Sequence, residues 1–130
     1  YLHEPDAAVV RSHLIPEIAL RLDAWLICPQ VAYLSSDTPV ESPFVASYRV
    51  IDSFHFSLKT LQAYLPQRDV GRVTIKRRRF PLTPDELQAR LKLKGNASAT
   101  LVCTRIDDAP TVIVCESIRH ENIKREVAPN

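Results

Sequence analysis

The stretch from Arg72 to Gly95, RVTIKRRRFPLTPDELQARLKLKG, decides the fold, because a strand, a turn and a helix each leave their mark within it. The first eight residues alternate. Arg72, Thr74, Lys76 and Arg78 project to one side of an extended chain, and Val73, Ile75, Arg77 and Arg79 to the other. Val73 and Ile75 need a core, so the first side is wholly polar. Beyond the turn at Phe80-Pro81, Thr83 is an N-cap, Pro84 fits the first helical turn, and Glu86 completes a capping box. Leu82 and Leu87 stand at the positions of a hydrophobic staple. Gly95 reads as the C-terminal stop of this helix.

The neighbouring segments extend the pattern in both directions. Upstream, Phe44 to Phe56 reads as a long strand with Tyr48, Val50 and Phe54 on one face. Ser57 then caps a helix in which Leu58, Leu61 and Leu65 share a side, ended by Pro66. Downstream, Ala99 to Ile106 and Thr111 to Ile118 are strand-like around DDAP, which predicts a hairpin. The order β-α-β-α-β-β results. Ahead of it, SSDTPVESP (Ser35 to Pro43) is a loop and the best internal boundary. Val10, Leu14, Ile18 and Leu22 have helical spacing, but Pro16 splits the run into two short helices. Trp25 to Leu34 reads as one or two short strands. The expected organisation is α+β: a helical segment over 1–43, a second domain over 44–118, and a polar tail over 119–130.

The chain has 130 residues, 45% hydrophobic and 25% charged, ordinary values for a globular protein. It contains no run of apolar residues long enough to span a bilayer and opens on no signal segment, so a cytoplasmic protein without a membrane partner is expected. Methionine is absent, which points to a piece of a longer polypeptide. The three cysteines, Cys28, Cys103 and Cys115, do not form a disulfide framework; Cys103 and Cys115 fall in the two strands of one hairpin, where they can face each other as buried thiols.

Several chemistries are excluded. With two glycines, Gly71 and Gly95, far apart, no glycine-rich loop exists to cradle a phosphate or a dinucleotide, so no cofactor is expected on this piece. His3, His13, His55 and His120 lack metal-ligand spacing, and packing or solvated histidines are the expectation. Asp52, Ser53 and His55 are close in sequence, but alternation sets Asp52 on the other face from Ser53 and His55 and forbids a local triad. No catalytic residue is expected in the piece.

What remains is charge. Between Arg72 and Lys94 eight cations face two anions, although the whole chain carries only +2. Three readings stay open, the least favoured being a contact with a partner domain. One is a phosphate-holding surface, in which the arginine fork suits phosphate oxygens without reading bases. Another is an edge strand kept from aggregating by its charge. For the first, Arg72, Lys76, Arg77 and Arg78 carry most of the contact, with Arg79 alongside and Lys92 and Lys94 in support. The two lysines also have a structural role open to them at a helix C-terminus.

The strings YLHEPDAAVVRSHL, VAYLSSDTPV, FVASYRVID, GRVTIKRR and LKLKG, in that order and spacing, resemble the C-terminal region of a family of bacterial class I S-adenosylmethionine-dependent methyltransferases. The resemblance runs from Tyr1 to about Ile118. It implies a small ferredoxin-like segment followed by a THUMP-like domain, with the methyltransferase fold and its S-adenosylmethionine lying before Tyr1. It further implies tRNA or rRNA as a partner and the methyltransferase domain of the same protein as a docking surface. Glycine often stands in such relatives where this chain has Arg79, which sets that residue apart from the rest of the basic run.

Overall fold

A computed structural model of the chain describes residues 1–28 and 31–118; the tail expected over 119–130, with His120, lies outside the described residues. Seven strands and four helices among the described residues confirm a mixed α+β protein. The chain divides into two compact units, Tyr1–Arg49 with Ser117 and Ile118, and Val50–Glu116.

The first unit is not simply helical. It begins with a strand, β1 (Leu2–Pro5), then has two short helices, α1 (Ala7–Arg11) and α2 (Ile15–Leu22), and two strands, β2 (Trp25–Cys28) and β3 (Val31–Ser35). Pro16 sits in the first turn of α2, where its missing N–H costs nothing. The helix stops at Asp23, whose left-handed conformation frees its N–H for the carbonyls of Ala19 and Leu20. β1 lies between β3 and the start of β4 (Val45–His55), antiparallel to both. Val9, Ile18 and Leu34 form the small core of this unit.

His3 lies on β1 and is fully buried. Its Nδ1 is 2.8 Å from Ser47 Oγ and its Nε2 is 2.6 Å from Ser36 Oγ. Ser36 donates its own hydroxyl proton to the Thr38 carbonyl, so it accepts from His3 Nε2–H. The single hydroxyl proton of Ser47 then has two acceptors, Nδ1 of the neutral ring at 2.8 Å and the Val40 carbonyl at 3.3 Å, and the shorter contact favours the ring. Burial, with a smaller contribution from the N-terminal ammonium, lowers the pKa from 6.5 to about 4. The histidine thus ties the 36–47 loop to β1 as a neutral core residue.

The second unit follows the β-α-β-α-β-β order. The part of β4 from Val50 is followed by α3 (Leu58–Gln67), β5 (Val70–Arg77), α4 (Pro84–Arg90), β6 (Ala97–Ile106) and β7 (Ala109–Ser117). Strand order across the sheet is β4-β7-β6-β5. β6 and β7 form an antiparallel hairpin whose two-residue loop, Asp107-Asp108, has both φ angles positive, as a type I′ turn requires. β5 runs parallel to β6, so the connection between them must cross over the sheet, and α4 makes that crossing. Leu61 and Leu65 from α3 and Leu87 from α4 pack on Leu101, Cys103, Val112 and Val114 of the sheet. The caps are those read from the sequence: Ser57 accepts from Thr60 N–H, and Thr83 from Glu86 N–H.

The structure corrects two expectations in this unit. Cys103 lies opposite Val112 and Cys115 opposite Thr100, so the two thiols do not face each other. All three cysteines are buried and free, and desolvation pushes Cys103 and Cys115 up to about 12.

Gly95 is the second correction, because α4 ends at Arg90 and an extended Leu91–Gly95 segment follows. Gly95 is needed for space instead. A methyl group on it would collide with the Asp69 carbonyl, and one on Gly71 would collide with the carbonyl of Gly95. Neither glycine has a positive φ, so room alone explains them. The only two glycines of the chain press their backbones together where β5 begins.

Two stability measurements follow. Gly71→Ala and Gly95→Ala each cost about 3 kcal/mol in urea unfolding, as overpacking against rigid backbone does. In the unfolded chain His3 takes up its proton near pH 6.5, but in the folded protein only near 4. Stability therefore falls as pH drops from 6.5 to 4, by up to about 3 kcal/mol from this residue, and levels off below. His3→Gln removes that component, so the difference between the two pH–stability curves isolates it.

Candidate nucleic-acid interface

The basic run lies on and around β5, which stands at the edge of the strand order in its unit. Val73 and Ile75 turn inward to the helix-covered core, while Arg72 and Thr74 are exposed on the other side. The cations differ in what holds them. Arg77 Nε and Nη2 donate to the Phe80 carbonyl at 3.0 and 2.8 Å. Lys76 is half-buried and engaged with other groups. Arg78 continues the ladder through its N–H to the Cys103 carbonyl, and its Nη1 donates to the Arg77 carbonyl at 3.0 Å. Arg68 stacks over the Tyr64 ring, and Arg105 pairs with Asp108.

Arg72, Arg79, Lys92 and Lys94 are exposed, and among the described residues no carboxylate pairs with them or with Arg78. Lys92 and Lys94 alternate with Leu91 and Leu93, which point into the core, so the lysines face water. They lie beyond the end of α4, and the helix-dipole role open to them in the sequence falls to Arg90 instead.

The run is thus spread along an edge. Arg72 and Lys94 each stand one residue from the glycine contact at the start of β5. Arg77, Arg78 and Arg79 are at its far end, about 20 Å away at the usual rise of a strand. Arg79 has φ 57°, a left-handed conformation rare for a side chain of its size.

Aromatic residues do not join the cations. Phe80 is buried edge-on against Phe56, with centroids 4.8 Å apart, and Phe54 packs on Tyr64. Among the described residues no ring beside the basic run offers an open face on which a base can stack. The surface can contact phosphates and little else. Asp52 accepts the N–H of Ser53 and lies on the opposite strand face from Ser53 and His55. A shallow cleft of about 450 Å³ lined in part by Ser53, His55, Asp107 and Thr111 holds no triad. Among the described residues no group of three His, Cys, Asp or Glu side chains is placed to hold a metal. The space at both glycines is filled by backbone, so they form no cradle for S-adenosylmethionine or for the phosphates of a nucleotide.

Sequence reasoning missed two features. The capture of Arg77 by Phe80 has no sequence signal. The burial of His3 falls within the expectation of packing or solvated histidines, although nothing in the string singled it out. The strain at Arg79 did have a signal, the glycine that often occupies that place in relatives.

A four-stranded mixed sheet with two helices on one face, and a polar edge, defines an α+β module. Residues 45–117 match the model of the THUMP domain-like family, and the chain belongs to that family. It is 34% identical over 106 residues to an uncharacterised S-adenosylmethionine-dependent methyltransferase of Mycobacterium tuberculosis, in each of two strains. That match covers 82% of this chain and 29% of the relative, so the chain spans less than a third of the length of the curated relatives it matches. The crystal structure of a protein named as a methyltransferase, from Porphyromonas gingivalis W83, is similar with a TM-score of 0.73 and 25% identity, over 91% of this chain and 29% of that one.

Arg79→Gly relieves the left-handed strain and raises stability by up to about 1 kcal/mol, the gain from φ exceeding the added entropy of glycine. Thermal unfolding of the two proteins measures it.

Proposed function

We propose that this chain is the RNA-binding, substrate-presenting module of an S-adenosylmethionine-dependent methyltransferase. It holds tRNA or rRNA through phosphates while a catalytic domain elsewhere in the polypeptide binds the cofactor and transfers the methyl group. In this reading the protein is cytoplasmic, and residues 1–43 form the ferredoxin-like companion of the THUMP-like domain. The names of its relatives support the methyltransferase context. The observation that carries the RNA reading is the exposure of Arg72, Arg78, Arg79, Lys92 and Lys94, with which no carboxylate pairs among the described residues. An edge strand needs some charge to stay soluble, but that role does not call for Lys92 and Lys94, which are on no strand.

A second reading has the module dock on its own methyltransferase domain, or dimerise, without RNA. It is favoured by the exposure of Leu20, Trp25 and Leu26 in the first unit, although Tyr33 is buried with its hydroxyl directed at Glu4. That unit carries six acidic and three basic side chains over residues 1–49, a balance suited to a protein partner rather than to RNA.

A gel-shift series over salt with tRNA and rRNA fragments separates them. Four to six phosphate contacts give a log–log slope of about −3 to −5. Changing Arg78, Lys92 and Lys94 together to Glu abolishes retention and leaves the unfolding midpoint within the range of ordinary surface changes. A flat salt response, or retention by the triple variant, rejects the RNA reading.

A further inference from the structure

Arg77 is exposed like Arg78 and Arg79, but its guanidinium is the one that turns back onto the loop. Two of its nitrogens are spent on one carbonyl, that of Phe80, at 3.0 and 2.8 Å. The residues enclosed by this clamp are Arg78 and Arg79. Phe80 itself is buried, wedged edge-on against Phe56. The loop is therefore fixed at three points: by the Arg78 N–H on Cys103, by the Arg77 fork on Phe80, and by the Phe80 ring in the core. Arg79 is held in its left-handed conformation between those points. Strain of this kind persists only where the surroundings over-determine it, and it marks places where a side chain is aimed.

We propose that Arg77 is a positioning residue: its guanidinium fork holds the turn that presents Arg78 and Arg79 side by side to an RNA phosphate run, and it makes no phosphate contact itself. This rests on the RNA reading above. The clamp needs a planar fork with two parallel donors, which lysine lacks. Charge and shape can therefore be separated. As a phosphate contact, Arg77 would be largely replaced by lysine. As a clamp, it would not.

The test compares the full chain with Arg77→Lys, the double variant Arg78→Gln/Arg79→Gln, and the triple combination, in tRNA binding over a salt series. Arg77→Lys is expected to lose roughly tenfold in affinity at physiological salt and to flatten the log–log slope by about 1.5, the equivalent of two contacts. The double variant has the same effect, and the triple variant adds nothing further, because the three residues act as one unit. Lys92→Gln still lowers affinity in the Arg77→Lys background, which shows that the rest of the edge is intact. Arg77→Lys binding as the parent does, or effects that simply add, overturns the proposal and leaves the RNA reading standing. Loss of the Lys92 contribution along with the unfolding midpoint overturns it in favour of a purely structural clamp. If the unaltered chain shows no salt-dependent RNA binding, both readings fall.

Discussion

The contact between Gly71 and Gly95 is the constraint around which the second unit is built. A parallel strand pair cannot close with a tight turn; it needs a crossover, and the crossover must return to the sheet at the right height. Here α4 lies on that path, and the extended Leu91–Gly95 segment leads back to the sheet by passing against the first residues of β5. Any side chain at either place would push the segment off the sheet. Ala97 N–H then finds the Asp69 carbonyl at 2.8 Å, and the register shift between Val70 and Arg72 absorbs the close approach. Once the segment is seated, alternation does the rest. Leu91 and Leu93 enter the core, and Lys92 and Lys94 are left in water next to a strand that already carries Arg72.

The architecture and the basic surface are therefore one construction. The edge position of β5 gives an open side, the alternation of Val73 and Ile75 with Arg72 and Thr74 gives it polarity, and the return segment adds two lysines from outside the sheet. The aromatic rings of the second unit follow the same economy: Phe80 is buried, and Phe54, Phe56 and Tyr64, each partly buried, pack against the core that a small sheet forms with two short helices. A surface with cations and no rings is suited to the shape and charge of a backbone.

Much of this was legible in the sequence. The strand–helix alternation after residue 44, the capping of α3 and α4 and the hairpin around Asp107-Asp108 are set by local chemistry, which a short window contains. The features that escaped are those in which a residue answers to something distant. Gly95 has the look of a helix stop, but its reason is the Asp69 carbonyl in the turn before β5. Arg77 is one of four consecutive cations, and only the position of the Phe80 carbonyl distinguishes it from Arg78. β1 is four residues long and becomes a strand because β3 and β4 flank it, and neither partner is implied by the string LHEP. The facing of Cys103 and Cys115 depended on register, which composition does not fix.

The sealed thiols have a practical consequence. Cys28, Cys103 and Cys115 are distributed over both units, and each is shut away from solvent. An alkylating reagent can reach them only through an opening of the surrounding structure, so the rate at which the protein takes up label reports how often each unit breathes. Cys28 serves as the native reporter for one unit, and the pair on β6 and β7 for the other.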